Sequence, residues 1–367
     1  MKPEKHILFI VPLPPPIHGS AAVSRQIKDS VYIREHYECD FVNLSTSRSM
    51  DEIGKICLAK IPRWFASFFQ LFFLLIRNRY DLCYIALACH GKAFLKDAPF
   101  ALLCKLFGRR LVIHQHNKGM STCIGNNPYK WLIPLVYKEA SVILLSWRLY
   151  DDIKSVVDKN YVFICPNGIP AVHYSSAKAN SDVTHILFLS NLIKSKGIFD
   201  LLDACVILKR NQTRFICDFV GNETVEITKD IFAAEIQSRE LEDYVIYHGP
   251  RYGVDKEQFL SSSDIFVFPS TYENEAFPLV ILEAMQHMLP VITYDEGGIP
   301  DVVEDGETGF IVPNNDVTAL AAKIEYLIAH SDVAKTLGMA GLNKFNKEYR
   351  LEIWEERMCH ILESLCC

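Results

Sequence analysis

The sequence predicts an α/β protein with two tandem domains, each of them a doubly wound parallel sheet. Two observations support this fold class. Short apolar runs alternate with helix-length stretches along all 367 residues, which is typical of βαβ units and parallel sheets. The runs are continuous and rich in β-branched and aromatic residues, as expected for strands that are buried on both faces. Hydrophobic residues make up 50% of the chain, which is enough for two cores.

Twelve apolar runs are predicted as strands, six in each half of the chain. Those of the first half span residues 6–12, 39–44, 81–87, 110–116, 141–146 and 161–166. Those of the second half span residues 184–190, 214–221, 244–249, 264–270, 290–295 and 309–313. The segment 167–182 is rich in small and turn-forming residues, which favours a linker there. We therefore predict domains at 1–172 and 180–349, and helical periodicity predicts a further helix at 350–367.

Charge is distributed unevenly between the two halves. The net charge is −6, but residues 1–180 carry 23 Lys or Arg against 13 Asp or Glu, whereas residues 181–367 carry 15 against 31. A basic half joined to an acidic half suggests two modules with different partners. A basic surface suits nucleic acid, anionic membrane or a phosphorylated substrate, and composition alone does not choose among them.

The cysteines give no sign of a disulfide framework or a metal site. The chain has 12 of them without a CxxC pair, and no spacing fits zinc ligands. The first apolar run begins at His6, too early and too short for the core of a signal peptide. We therefore expect reduced, mostly buried cysteines in a cytoplasmic protein. The GxGxxG fingerprint is absent, which argues against a dinucleotide cofactor.

The stretch ENEAFPLVILEAM places Glu275 and Glu283 eight positions apart around an apolar run. Pro278 suits the first turn of a helix, so we expect Glu275 in the preceding loop and Glu283 inside the helix. Backbone N–H groups around Ala276 to Leu279 would lack helical partners and could hold an anion. Hydroxyl donors could then reach both carboxylates. A capping acid followed by a surface glutamate would give the same spacing, so spacing alone leaves both interpretations open.

Three motifs together resemble those of the nucleotide-sugar-dependent glycosyltransferases of family 4, which have the GT-B fold. PSTYENEAFPLVILEAMQ is similar to the family's PSxxEGFGxxxLEAMA, with Ala276 and Pro278 where the family usually has glycine. The second match is GGIPDVVEDGETGFIVPNNDVTALAAKI at 297–324, and the third is PNGI at 166–169. The resemblance covers most of residues 165–328.

The resemblance implies two Rossmann-like domains that face a cleft, with the last helix packed on the first domain. It also implies a role for each glutamate. Glu283 is expected to accept hydrogen bonds from the donor ribose, and Glu275 from hydroxyls of the transferred sugar. A carboxylate suits both roles because it only accepts and can take two hydroxyl donors at once.

The segment SNLIKSKG at 190–197 is similar to the family's GRLxxxKG, in which Arg and Lys neutralise the donor diphosphate. Lys196 and Gly197 match, but Ser190 and Asn191 replace the usual glycine and arginine. Asparagine carries no charge, so either Lys194 compensates in part or Asn191 donates only a neutral hydrogen bond. We expect Lys196 to stabilise the departing diphosphate. The alternative is a solvated loop lysine.

The first half offers two further candidates. VPLPPPIHGSAAVS at 11–24 follows the first strand, and in the family a glycine-containing loop at this place lies against the donor phosphates, which points to Gly19. His114 and His116 in HQHNKG are expected to point to the same face, and His116 matches a family histidine near the transferred sugar. It could bind a hydroxyl or assist proton movement. A histidine satisfied by backbone is the alternative, and a metal pair lacks a third ligand.

The stretch IPRWFASFFQLFFLLI at 61–76 is strongly apolar but too short to span a bilayer, which needs about 20 such residues. We expect most of it to form a core helix. Its six large aromatics and the flanking arginines are also typical of a helix that contacts anionic lipid, so membrane contact is the alternative.

The resemblance implies a retaining hexosyltransferase that moves a sugar from a nucleotide-diphosphate sugar to a hydroxyl of a glycan or lipid-linked acceptor. Assembly of bacterial cell-surface polysaccharide or lipopolysaccharide is the expected context, in the cytoplasm or at the inner face of the cytoplasmic membrane. No nucleic acid, cofactor or metal is expected, and no DxD motif occurs. The expected catalytic residues are Lys196, Glu275 and His116. The expected donor-binding residues are Gly19, Asn191, Lys196, Glu275, Ala276, Phe277, Pro278, Leu279 and Glu283.

Two alternatives remain open at this point. One is a sugar-nucleotide epimerase on the same scaffold, which would need no acceptor. The other is a non-catalytic module that binds a nucleotide sugar, and Asn191 in place of the usual arginine keeps that interpretation open.

Overall fold

The computed structural model describes residues 4–15, 19–48, 52, 58–172 and 183–366. The chain divides into two compact units. The first comprises Met1–Asn167 and Glu352–Cys367, and the second comprises Gly168–Leu351. Most of the segment interpreted as a linker, residues 173–182, lies outside the described residues.

The first unit is built on a six-stranded parallel sheet with the strand order β2-β1-β3-β4-β5-β6. Its strands are β1 His6–Val11, β2 Glu38–Asn43, β3 Leu82–Ile85, β4 Leu111–His114, β5 Ser141–Leu144 and β6 Val162–Ile164. Its helices are α1 Gly19–Asp29, α2 Val31–His36, α3 Lys60–Arg77, α4 Gly91–Leu106, α5 Met120–Cys123, α6 Tyr129–Tyr137 and the last helix, α14 Leu351–Leu365. Short 3-10 turns span Trp147–Asp152 and Lys159–Tyr161.

The second unit is built on another six-stranded parallel sheet, with the order β12-β11-β10-β7-β8-β9. Its strands are β7 Thr184–Leu189, β8 Phe215–Val220, β9 Val245–Gly249, β10 Ile265–Phe268, β11 Val291–Tyr294 and β12 Gly309–Val312. Its helices are α7 Ile198–Arg210, α8 Lys229–Ser238, α9 Val254–Ser262, α10 Leu279–Gln286, α11 Ile299–Val302, α12 Val317–Ala329 and α13 Ser331–Glu348. A 3-10 turn at Lys194–Lys196 precedes α7.

The predicted fold class is confirmed: each unit is a Rossmann-like parallel sheet, and each predicted run overlaps one of the twelve strands in the described part of the chain. The central strands β3, β4, β10 and β11 are buried along their whole length. This burial on both faces explains why their sequences are continuous apolar runs instead of alternating ones.

The expectation that α3 is mostly a core helix was wrong. Only Leu71 and Leu75 of this helix are buried. A row of apolar side chains spaced four residues apart is instead about half exposed, and it consists of Ile61 (50%), Phe65 (49%), Phe69 (53%) and Phe73 (57%). Among the described residues, no helix is long and apolar enough to cross a bilayer.

The last helix, α14, packs within the first unit. Trp354, Met358 and Leu362 are fully buried, and the Tyr37 hydroxyl donates a 3.0 Å hydrogen bond to the carbonyl of Cys359. The chain therefore leaves the first unit, builds the second, and returns to complete the core of the first.

Candidate active site

The strand order of the second unit fixes where its site lies. Strand β7 pairs with both β8 and β10, so the chain winds outwards from β7 in one direction and from β10 in the other. Ligands of such open sheets bind outside the carboxyl ends of the strands at this reversal point. The loops that follow β7 and β10 contain Lys196 and Glu275, which places two of the predicted site residues there.

The side chains of Lys196 and Glu275 are in direct contact. The Nζ of Lys196 forms an ion pair with Oε2 of Glu275, and the Ser270 hydroxyl donates to the same oxygen at 3.2 Å. Nζ also lies 4.5 Å from the ring centroid of Tyr272 and 5.3 Å from that of Phe268. The site thus holds a lysine and a carboxylate that are both largely buried.

Three close backbone contacts hold these loops in place. A Cβ on Gly197 (φ +81°) would lie 2.0 Å from the carbonyl oxygen of Pro269, and a Cβ on Gly297 (φ +55°) would lie 2.1 Å from that of Glu275. The N–H of Gly298 donates to the carbonyl of Ala276 at 2.8 Å. Only glycine at positions 197 and 297 permits the first two of these contacts. The GGIP segment therefore supports the backbone that carries Glu275, a role that sequence reasoning did not assign.

Helix α10 begins at Leu279, and Pro278 is its N-cap residue in an extended conformation. Ala276, Phe277 and Pro278 are buried, while Leu279 is partly exposed. The Phe277 ring packs edge-on against Tyr349, with centroids 5.9 Å apart. The Phe277 side chain is therefore engaged in packing, and any ligand contact from this segment would come from its backbone.

Glu283 lies inside α10 and pairs with a lysine from α9. The Nζ of Lys256 donates to Oε1 of Glu283 at 2.7 Å. Burial raises the pKa of the Glu283 carboxyl, and Lys256 acts in the opposite direction. Sequence reasoning missed Lys256, because nothing in its position 27 residues before Glu283 signals the contact.

Asn191 contacts the loop that follows β8. Its Oδ1 accepts from the side chain of Asn222 at 3.3 Å, and Asn222 in turn donates to the Tyr252 hydroxyl at 2.8 Å. A Cβ on Gly221 would lie 1.8 Å from the carbonyl oxygen of Ser190. Asn191 thus joins a neutral hydrogen-bond chain, and the Lys194 side chain close by is exposed.

In the first unit, Gly19 is the first residue of α1. No heavy atom of the described chain lies within 4 Å of where its Cβ would be. Packing within the described residues therefore does not require glycine here, which leaves room for a ligand against the backbone.

His114 and His116 lie side by side, as predicted, with ring centroids 4.1 Å apart. His114 is fully buried, and its Nδ1 is hydrogen-bonded to the Tyr84 hydroxyl. Burial, assisted by His116, holds the pKa of His114 well below its usual range. His114 is therefore a neutral structural histidine, whereas His116 is partly exposed.

The loop after His116 is fixed by one carboxylate that sequence reasoning did not single out. Asp152 accepts hydrogen bonds of 2.9 Å from the backbone N–H groups of Gly119, Met120 and Ser121, and one of 2.7 Å from the Ser121 hydroxyl. Within the described part of the chain, no group of three or more His, Cys, Asp or Glu could hold a metal ion.

Residues 174–344 match the family described as glycosyl transferases group 1. This range contains the site around Lys196 and Glu275, so the similarity to that family includes the candidate site.

A named relative aligns with about half of this chain. The amylovoran biosynthesis glycosyltransferase AmsK of Erwinia amylovora is 30% identical over 185 residues, which are 49% of this chain and 44% of AmsK. The chain thus spans less than half the length of that relative.

Two solved structures share the fold of the whole chain, which is GT-B. Sucrose-phosphate synthase from Thermosynechococcus elongatus has a TM-score of 0.78 at 18% identity, over 99% of both chains. Anabaena HepE, solved in complex with UDP and glucose, has a TM-score of 0.74 at 19% identity, over 98% of this chain and all of that one.

We predict that Gly297→Ala destabilises the second unit because the new Cβ meets the Glu275 carbonyl oxygen. A positive φ alone costs an alanine roughly 1–2 kcal/mol, and the clash adds to this, for a total of about 3 kcal/mol or more. Gly306→Ala is the matched control, since Gly306 has φ +76° and open space around its Cβ position. Urea unfolding measures both losses, and equal losses would contradict the prediction.

Proposed function

We propose that the protein is a retaining glycosyltransferase that moves a sugar from a nucleotide-diphosphate sugar to a hydroxyl of a glycan or lipid-linked acceptor. The group 1 glycosyltransferase match supports the reaction class. The relative named for amylovoran biosynthesis supports a role in bacterial cell-surface polysaccharide assembly. The fold shared with HepE, solved with UDP and glucose, supports a nucleotide-sugar donor.

The observation that carries this proposal is the Lys196–Glu275 pair at the point where the strand order reverses. A transferred sugar presents hydroxyl donors, which suit a carboxylate, and its diphosphate presents negative charge, which suits a lysine. On donor binding, Lys196 exchanges part of its contact with Glu275 for the diphosphate. Glu275 then accepts from sugar hydroxyls, so neither buried charge loses its partners.

Retention of configuration follows from front-face transfer. The bond between the anomeric carbon and the diphosphate oxygen breaks while the acceptor hydroxyl oxygen bonds to the same face of that carbon. The hydroxyl proton passes to the departing phosphate. Lys196 stabilises the negative charge that develops on the diphosphate, and positioning of the two substrates contributes the rest.

The remaining candidates hold and orient the donor. Gly19 lets the start of α1 approach the phosphates. His116 binds a sugar hydroxyl, and the neutral His114 packed against it adds no competing charge. Asn191 donates a neutral hydrogen bond instead of the charge of an arginine, so Lys196 supplies the positive charge on the diphosphate.

A non-catalytic nucleotide-sugar-binding module is the second candidate, and the neutral contacts of Asn191 favour it. A thermal-shift screen with nucleoside diphosphates and their sugars locates the donor under either proposal. A ligand at 100 times its Kd stabilises by about 2.7 kcal/mol. Incubation of the radiolabelled donor with an acceptor panel then separates the proposals. Label transfer supports the transferase, a changed sugar without acceptor supports an epimerase, and binding without turnover supports the module.

Lys196→Ala is expected to lower kcat at least about tenfold, which corresponds to about 1.4 kcal/mol on the barrier. The cause is loss of the cation that stabilises the leaving diphosphate. Lys229→Ala is a matched control, since Lys229 is exposed at the start of α8. Steady-state turnover measures both variants. A Lys196→Ala enzyme within twofold of the wild type would refute this role.

Transfer is expected to persist in excess EDTA, because in this proposal a lysine neutralises the departing diphosphate. The assay follows label transfer before and after chelation, and the result should be the same within about twofold. Loss of transfer that added Mg²⁺ or Mn²⁺ restores would contradict the prediction.

The exposed apolar row on α3 supports contact with an anionic membrane. We define the α3 stripe as Ile61, Phe65, Phe69 and Phe73, which face away from the buried Leu71 and Leu75. A helix that turns aromatics to solvent next to basic residues is typical of proteins that bind at the lipid interface. The adjacent exposed cations are Arg77 and Arg79. A lipid-linked acceptor would be anchored in the membrane that this surface contacts.

The triple variant Phe65→Ser, Phe69→Ser, Phe73→Ser is expected to lose binding to phosphatidylglycerol-containing vesicles in flotation, because each phenylalanine loses apolar burial worth about 2 kcal/mol. Val225→Ser with Val254→Ser removes exposed apolar side chains from the second unit and serves as the control. Equal flotation of the triple variant and the wild type would refute membrane contact. If the wild type is a dimer and the triple variant is a monomer, the α3 stripe is instead the contact with a second copy of the chain.

A further inference from the structure

Helices α9 and α10 are joined by two side-chain contacts beside Glu283. Lys256 of α9 lies 2.7 Å from Glu283 through Nζ and Oε1. The next residue, Glu257, places Oε2 2.9 Å from Nε2 of His287, which follows α10. The other ring nitrogen of His287 lies 2.8 Å from the backbone carbonyl of Glu283. All four side chains are mostly buried.

The charges around Glu283 act in opposite directions on its ionisation. Burial raises the pKa of this carboxyl most strongly, and Glu257 raises it further. Lys256 lowers it by charge and by hydrogen bonding, and His287 lowers it to a smaller extent. Lys256 is thus the main group that favours the ionised carboxylate.

The carboxylate of Glu283 also keeps unused acceptor capacity. Lys256 contacts Oε1, whereas Oε2 is buried and has no hydrogen-bond partner among the described residues. A carboxylate offers about four lone-pair sites, and an unsatisfied buried acceptor is costly. A hydroxyl donor from a ligand would remove that cost, but only while the carboxylate is held ionised and in place.

We infer that Lys256 is a positioning residue that holds the Glu283 carboxylate oriented to accept from the ribose hydroxyls of the donor, and so makes the enzyme select ribonucleotide donors. This inference rests on the proposed function, in which Glu283 meets the donor ribose. In this inference Lys256 acts on the ribose only through its contact with Glu283. The competing explanation is that the pair only fastens α9 to α10.

The test measures ribose recognition directly. Isothermal titration calorimetry gives the Kd of UDP, GDP and ADP and of their 2′-deoxy and 3′-deoxy analogues for the wild type. The tightest ribonucleotide is expected to bind at least about tenfold better than one of its deoxy forms, as for a hydrogen bond to a charged group. Lys256→Met is expected to reduce this preference to within about twofold. Lys256→Arg, which keeps the charge, is expected to retain most of it.

Glu257→Gln is the matched control, because it weakens the other contact between the same two helices. It is expected to lower thermal stability and to leave the ribose preference unchanged, whereas equal loss of preference in Glu257→Gln and Lys256→Met would assign both contacts to helix packing and overturn the inference. Should Lys256→Met fail to fold, Lys256→Gln takes its place, since it keeps a donor without the charge.

The remaining outcomes separate the inference from the function on which it rests. If no nucleoside diphosphate binds the wild type, the proposed function fails. If the wild type selects ribose and Glu283→Gln abolishes that selection while Lys256→Met retains it, Glu283 recognises the donor without Lys256. The inference is then overturned and the proposed function stands.

Discussion

The contact between Lys196 and Glu275 depends on backbone segments that approach each other more closely than any side chain would allow. Gly197 brings the turn after β7 against Pro269, and Gly297 lies against the carbonyl of Glu275. Strands β7 and β10 are neighbours, but adjacency alone would leave their loops free to diverge. The missing side chains at two positions lock those loops together, and the charged groups of the site then meet as a consequence.

Continuous apolar runs were sufficient to predict the strands, because burial on both faces leaves no other pattern open to them. The burial of helix α3 was predicted less well, because an aromatic helix of that length has the same sequence pattern in a core as at a surface. Local spacing placed Glu275 before α10 and Glu283 within it. It could not reveal that Lys196 pairs with Glu275, which lies 79 residues further along the chain. Nor could it reveal that Asp152 supports the loop after His116.

Both glutamates that the resemblance singled out are paired with a lysine. Glu275 meets Lys196 and Glu283 meets Lys256, so each buried carboxylate is compensated inside the second unit. Uncompensated, either charge would be costly to bury. The two pairs differ in setting, since one joins loops after adjacent strands and the other joins two helices. In the proposed function, Lys196 exchanges part of its contact with Glu275 for the donor diphosphate, whereas the contact between Lys256 and Glu283 stays in place.

The return of α14 to the first unit makes the second unit an insertion within the first. A ribosome releases the chain from its amino end, and domains usually fold in that order. Here Trp354 and Leu362 are synthesised after all of Gly168–Leu351. The core of the first unit therefore stays incomplete, with the surface that α14 covers exposed, until the second unit has been synthesised. The later-made unit is thus free to acquire its native state before the earlier one can be completed.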